Sequence, residues 1–248
     1  MMQPFLVALQ FLTRLPVRLK TLPDDKTIGF SIVFYPLVGT ILGALLFGFA
    51  ELLSGTSSLI AATLMITAWV LLTGGLHLDG LADSADAWVG GMGNREKTLA
   101  LMKDPNCGPA GVVSIVLILL LKFAALHTLL DTGDCIAILL AATFGRTLLP
   151  LLFLTTPYVR ESGLGSPLVN HLPRRACWFS IVTVPALMLL LPDVRHWALL
   201  PVVLMIFLLL RHLMLQRIGG TTGDTAGALV EIGETAALLT EAMLQSEI

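Results

Sequence analysis

Charge is what this sequence has least of: Asp, Glu, Lys and Arg make up 13% of its 248 residues, where soluble domains run near one-quarter. The net charge is only −2, which gives no basic surface for nucleic acid, and no such partner is expected. Cysteine is also scarce. Cys107, Cys135 and Cys177 stand alone without CxxC spacing, which argues against a zinc site or a disulfide framework. No strand-like alternation, Pro- or Ser-rich linker, low-complexity tract or fixed-period repeat is evident. The apolar start Met1 to Leu12 is short and runs into Arg14 without a small-residue cleavage site, so no cleavable leader is expected. What remains is apolar: 56% of residues are hydrophobic, with a mean hydropathy of +0.87.

A membrane-crossing helix needs about 20 mostly apolar residues. Six stretches qualify: 29–53, 57–76, 109–130, 135–156, 176–192 and 196–215. The fifth is short and ends at Pro192. A seventh, 224–244, is apolar but carries Glu231, Glu234 and Glu241, so it either crosses within a bundle or lies along its surface. Residues 1–20 read as an amphipathic helix at the membrane surface, with Arg14, Arg18 and Lys20 at its end. The expected fold is all-α: a polytopic integral membrane bundle of six to seven transmembrane helices, forming one domain over residues 1–248.

The basic residues predict its orientation. Of 15 Lys and Arg, 12 fall in the N-terminal segment and the loops 77–108, 157–175 and 211–223. Only Arg195 falls in the alternate loops, while Lys122 and Arg146 lie within spans. By the positive-inside rule the N-terminus and the basic loops are cytoplasmic. A bacterial inner membrane is the expected location, with lipid as the surrounding partner.

The chemistry concentrates in Thr73-Gly-Gly-Leu-His-Leu-Asp-Gly-Leu-Ala-Asp-Ser-Ala-Asp-Ala-Trp88. Asp79, Asp83 and Asp86 stand at i, i+4 and i+7, so a helix stacks three carboxylates on one face. Like charges on adjacent turns repel, and a cation relieves them. Oxygen-only donors select hard divalent ions, and Mg²⁺ characteristically shares itself between a few carboxylates, phosphate oxygens and water. Helix capping at the membrane surface explains one or two of these acids, but not a third on the second turn. Gly74, Gly75 and Gly80 clear side chains where a phosphate ester would approach the backbone.

A second set lies in Gly219-Gly-Thr-Thr-Gly-Asp-Thr-Ala-Gly-Ala-Leu-Val-Glu-Ile-Gly-Glu234. Asp224 and Glu231 share a helical face with the small residues Gly227 and Ala228 between them. Gly220, Thr222 and Gly223 form a run whose backbone N–H groups suit an anion. A Gly-rich loop with Asp224 as its N-cap is the plainer reading. Lys103 and Asp104 follow in the loop of the first cluster, as a phosphate contact and a further ligand or simply as loop polarity. Arg146 within a span is a functional or ion-pair candidate. Arg14 reads as an interfacial anchor, and His77, near the acids, as more often structural.

These residues resemble the cobalamin synthase family, whose activity is also called adenosylcobinamide-GDP ribazoletransferase. The resemblance rests on Leu78-Asp-Gly-Leu-Ala-Asp-Ser-Ala-Asp86 with Thr73-Gly-Gly before it, on Phe11-Leu-Thr-Arg-Leu-Pro16, and on Phe34-Tyr-Pro-Leu-Val-Gly39. Met102-Lys-Asp104, Gly145-Arg146, Glu161-Ser-Gly-Leu-Gly165 and Gly220-Thr-Thr-Gly-Asp-Thr-Ala-Gly-Ala228 with Glu231 extend it along essentially the whole chain. Two departures, Ala87 where Gly is frequent and the Pro105-Asn-Cys107 stretch, remove no carboxylate.

The resemblance implies the last nucleotide-loop assembly step of cobalamin. Adenosylcobinamide-GDP joins α-ribazole, or its 5′-phosphate, and GMP leaves, with Mg²⁺ as the cofactor. Asp79, Asp83 and Asp86 would hold that ion, helped by Asp104 or by Asp224 and Glu231, and one of these acids would act as base. Lys103, Arg146, Arg95 and Arg14 are the candidate phosphate contacts, with Gly220, Thr222 and Gly223. A homo-oligomer, or association with other late enzymes of the pathway, is left open.

Two rival readings remain. The motif also resembles the Asp-Gly-x-x-Ala-Arg signature of CDP-alcohol phosphotransferases, but Asp83 stands where that signature has Arg. A cation-coupled transporter would set its acids near mid-bilayer, with a repeated half; these acids sit mostly at span ends, and no repeat is visible.

Overall fold

The computed structural model describes residues 2–19, 21–160 and 165–245. Among them every named element is helical, and the single β-type contact is an isolated bridge between Tyr158 and Thr221. The helices are α1 (Met2–Leu12), α2 (Asp25–Ser31), α3 (Tyr35–Leu52), α4 (Ser58–Thr73), α5 (Leu76–Gly91) and α6 (Arg95–Leu101), then α7 (Pro109–Thr132), α8 (Ile136–Thr155), α9 (Ser166–Asn170), α10 (Arg174–Met188), α11 (Leu199–Ile218) and α12 (Gly223–Gln245). A short 3₁₀ turn joins α2 to α3, so that Asp25–Leu52 runs as one apolar rod. Asp24 starts this rod by accepting the Thr27 N–H at 2.9 Å, the usual duty of an N-cap carboxylate.

Among the described residues, four helical stretches are long and apolar enough to cross a membrane: Asp25–Leu52, Pro109–Thr132, Ile136–Thr155 and Val194–Ile218. A fifth is obtained only if α4 and α5 are counted together, and these two are bent by 88°. The count of six to seven is therefore not met on length and composition. The stretch expected at 176–192 forms α10, only 15 residues long and with Pro185 inside it. The stretch expected at 224–244 is a helix of 23 residues, but its acids keep it out of the apolar class. The surface helix expected over 1–20 ends at Leu12, and Lys20 lies outside the described residues.

Two helices form the centre. α8 is buried along almost its whole length, packed on α3, α10 and α12. α12 packs on α5, α7, α8 and α11 and is buried along most of its faces. The apolar side chains of the outer helices point away, with Leu117 and Leu120 of α7 and Leu204 and Leu208 of α11 exposed. Such apolar outer faces on helices of this length suit a hydrocarbon surround, where the helix satisfies its own backbone.

The bend after α4 sets the site. Gly74 and Gly75 take φ of 65° and 70°, the left-handed region that only glycine enters freely. A side chain on Gly74 would also collide with Arg14, whose Nε would lie 2.1 Å from the added Cβ. Two successive left-handed residues turn the chain sharply, and α5 leaves at nearly a right angle across the end of the bundle.

Candidate active site

α5 carries the acids as the spacing predicts. Asp79 is exposed, and Asp83 and Asp86 are half-buried on the same helix. α12 delivers a fourth. A Cβ on Gly80 would come within 2.7 Å of the Asp224 carbonyl oxygen, so the bare glycine lets the first turn of α12 rest on α5. Asp83 registers the result. Partial burial pushes its carboxyl up to about 6, the neighbouring charges of Asp79, Asp224 and Asp86 add to the rise, and the Arg160 guanidinium opposes it.

Arg160, which in the sequence is one charge of a basic loop, joins the acids in the fold. Its Nη2 meets Asp224 Oδ2 at 2.6 Å and the Met102 carbonyl at 3.1 Å. Its position comes from a small backbone splice. Val159 N–H donates to the Thr221 carbonyl at 3.0 Å, and Thr221 N–H donates to the Pro157 carbonyl at 2.8 Å, fastening the chain after α8 to the loop before α12. A cation two residues beyond a Tyr in a Gly-flanked loop was the available signal. The motif Glu161-Ser-Gly-Leu-Gly165 that follows lies, up to residue 164, outside the described residues.

Several expected site residues have other duties. Asp86 accepts the Gly108 N–H at 2.7 Å on one oxygen and the Gly111 N–H at 2.9 Å on the other, so it caps α7 across space. Asp104 is exposed and accepts both N–H groups of Asn106, main chain and side chain; Lys103 beside it is exposed. Arg95 caps the end of α11, its Nε donating to the Ile218 carbonyl at 2.8 Å. Thr222 faces inward, where its Oγ1 accepts the Thr225 N–H at 3.2 Å, and Gly220 is packed under the Pro157 carbonyl. Of the expected anion loop, only Gly223 opens to the cavity described below. Arg14 lies over Gly74 and stays exposed at the same end.

Glu231 and Arg146 find their partners inside the bundle, Arg146 as the ion-pair member its place within a span suggested. The shared face of α12 was expected to bring Glu231 to the metal beside Asp224, but Glu231 lies two turns deeper and pairs with Lys122 at 2.6 Å. Lys122 also meets Glu234 at 2.6 Å, and Arg146 pairs with the other oxygen of Glu234. All four side chains are nearly inaccessible. Two cations and two anions thus neutralise one another where α7, α8 and α12 meet, the arrangement a low-dielectric interior demands. A spacing of seven on one helix gives a common direction but also a displacement of about 10 Å along the axis.

Beside the acids lies a cavity of about 230 Å³. Asp79, Asp224 and Arg160 border it, and Phe11, Tyr35, Phe153 and Tyr158 also line it. The donor set can be tested against Mg²⁺. Every candidate ligand is a carboxylate oxygen, and among the described residues no Lys, Arg or His pairs with Asp79 or Asp83. The acids fit a hard cation. They do not form a closed cage: the one described group whose three ligand atoms lie within 4.8 Å of one another is Asp134, His196 and Glu241. That group belongs to other helix ends and its members already have protein partners, His196 paired with Glu241 at 3.0 Å and Asp134 accepting from Gln245 at 2.6 Å. An open pair of carboxylates suits an ion that takes the rest of its shell from water and phosphate.

Helices long and apolar enough to cross a membrane, packed around buried ion pairs, with acids and an arginine gathered beside an aromatic cavity, define an all-helical bundle compatible with a multi-pass membrane protein. The chain belongs to the cobalamin-5-phosphate synthase family, whose model matches residues 4–242. It is 53% identical over 243 residues, 98% of this chain and 100% of the relative, to an adenosylcobinamide-GDP ribazoletransferase of Pseudomonas savastanoi pv. phaseolicola. To the protein of that name from Pseudomonas paraeruginosa it is 54% identical over 242 residues, 98% of each chain. No solved structure matches it.

Proposed function

We propose that this chain transfers the phosphocobinamide group of adenosylcobinamide-GDP to a ribose hydroxyl of α-ribazole, or of its 5′-phosphate, with release of GMP. The observation that carries this reading is the meeting of Asp79, Asp83, Asp224 and Arg160 beside a cavity, in a chain that matches its ribazoletransferase relatives along nearly their whole length. The hydroxyl oxygen attacks the cobinamide-linked phosphorus, the bond to the GMP oxygen breaks, and the hydroxyl proton passes to Asp83. A carboxylate that titrates near 6 is ionised at neutral pH and close enough to it to act as a base. Arg160 presents its guanidinium to the phosphate oxygens, which makes its bond to Asp224 the contact that substrate rearranges. Asp79 and Asp224 would hold Mg²⁺ beside Asp83, and the bound ion would supply neutralisation of the diphosphate charge while Asp83 stays free to act as the base.

The same reading sets the chain in a bacterial inner membrane with its N-terminus, α5 and the 157–173 loop in the cytoplasm. α12 crosses as a central helix, since Lys122 and Arg146 neutralise Glu231 and Glu234. The short α10 crosses beside α8, for seven crossings in all. Cys107 tests the orientation, being exposed while Cys135 and Cys177 are buried. A membrane-impermeant thiol reagent should label Cys107 in inverted vesicles and spare it in intact spheroplasts; the reverse would turn the topology over.

For the reaction, purified protein in liposomes should release GMP and form the corrinoid product from adenosylcobinamide-GDP and α-ribazole. EDTA should stop it and Mg²⁺ restore it. CDP-alcohols should not replace the nucleotide substrate. No product from intact folded protein would refute the transfer.

A further inference from the structure

We infer that the cavity beside the acids is the subsite for the base of the acceptor nucleoside, a planar bicyclic aromatic ring held between two aromatic pairs. This assignment rests on the transfer proposed above and specifies which part of which substrate enters. The chain has only two tyrosines, and both line this cavity. Each stands in an aromatic pair: Tyr35 stacks on Phe11, with ring centroids 6.3 Å apart and planes at 24°, and Tyr158 meets Phe153 at 6.1 Å and 59°. The four rings come from α1, α3, α8 and the chain after α8, so the fold converges them from separate elements. Tyr35 and Phe153 are also seated in the apolar core, so the two pairs make firm walls against which a flat π-system can pack.

Size and polarity narrow the occupant. Pockets that engulf a whole drug-sized ligand run to about 300–1,000 Å³, so a cavity of about 230 Å³ takes one ring system and leaves a sugar at the mouth. A corrin does not fit. Guanine carries hydrogen-bonding groups around most of its edge, and each one buried without a partner is penalised. The base of α-ribazole, a dimethylbenzimidazole, has an apolar methylated edge and one ring nitrogen free of the sugar. The lining offers a comparable inventory: besides the charged groups at the mouth and the two tyrosine hydroxyls, its hydrogen-bonding side chain is His77, which is buried and whose Nδ1 lacks a hydrogen-bond partner. A base seated between the rings leaves its ribose beside Asp79 and Asp224, where the hydroxyl is to react.

The test measures KM for each substrate separately, using full-length protein in detergent and the variants Phe11→Leu, Tyr158→Leu and Tyr158→Phe. Loss of one stacking ring should raise KM for α-ribazole about tenfold, with KM for adenosylcobinamide-GDP within twofold of wild type. Tyr158→Phe, which keeps the ring, should recover most of the loss. Equilibrium binding of α-ribazole alone, followed by intrinsic fluorescence, should weaken in parallel. If one Leu variant does not fold, as judged by thermal unfolding, the other and the binding measurement on wild type carry the test. A rise in KM for adenosylcobinamide-GDP instead would put guanine in the cavity and overturn the assignment. Unchanged KM for both substrates, or no binding of α-ribazole by active wild-type protein, would overturn it too. In those outcomes the wild type still forms product, so the transfer itself stands; only an inactive wild type counts against the transfer.

Discussion

Gly80→Ala puts one methyl group where α5 and α12 touch. The added Cβ would stand 2.7 Å from the Asp224 carbonyl oxygen and 3.0 Å from its Cα. Ordinary contact begins at 3.4 Å, so the first turn of α12 must retreat by about 0.7 Å, since backbone cannot rotate aside as a long side chain does. Overpacking of this kind costs about 1–3 kcal/mol, and the better helix propensity of Ala returns about 0.5–1 kcal/mol. The protein should therefore still fold. Its chemistry should suffer more, because a misplacement near 1 Å in a reacting site costs up to about 100-fold. We expect kcat/KM to fall about 10- to 100-fold in the GMP-release assay, with thermal unfolding in detergent lowered by only a few degrees. Gly48→Ala is the control: a Cβ there meets nothing within 4 Å, so kcat/KM should match wild type and the unfolding temperature should be equal or slightly higher. In an Asp224→Asn background Gly80→Ala should cost little more activity, because the two changes act through one group. Wild-type kcat/KM in Gly80→Ala would refute the reasoning, removing either the helix contact or the role of Asp224.

Three further outcomes follow from the same geometry. Lys122→Met leaves Glu231 and Glu234 buried with Arg146 as their sole cation, so unfolding in detergent should show a loss of about 3–5 kcal/mol, partly recovered by adding Glu231→Gln; an unchanged midpoint would dissolve the buried network. For Asp83, the folded carboxyl titrates near 6 against an ordinary 3.8. The fold holds that proton more tightly than the unfolded chain does, so ionisation weakens the fold, fully above pH about 6 and not at all below the ordinary value. Wild-type kcat/KM should accordingly decline below pH about 6, while Asp83→Asn should abolish turnover and raise the unfolding temperature at pH 7; an active variant would remove the base. Asp86→Ala strips two acceptors from the start of α7 and should lower stability by about 1–2 kcal/mol, which a chemical-denaturation series in detergent checks; an unchanged midpoint would mean that the cap contributes nothing.

By itself the sequence determined what depends on local pattern. Apolar length specified helices over 29–53, 109–130, 135–156 and 196–215, each recovered within a few residues, because a backbone out of water must bond within its own segment. The i, i+4, i+7 spacing of Asp79, Asp83 and Asp86 sufficed to stack three acids on α5, and the chain's motifs named its family. Tertiary structure decided which acid meets which partner. Asp86 turned out to cap α7, Glu231 and Arg146 to balance Lys122 and Glu234, and Arg160 to join Asp224 from 64 positions away. A carboxylate has the same letter whether it faces a metal, a helix end or a buried lysine. Its role follows from the nearest opposite charge or N–H, and those neighbours are set by the right-angle bend at Gly74 and Gly75 and the close crossing at Gly80, not by the residues beside it in the chain.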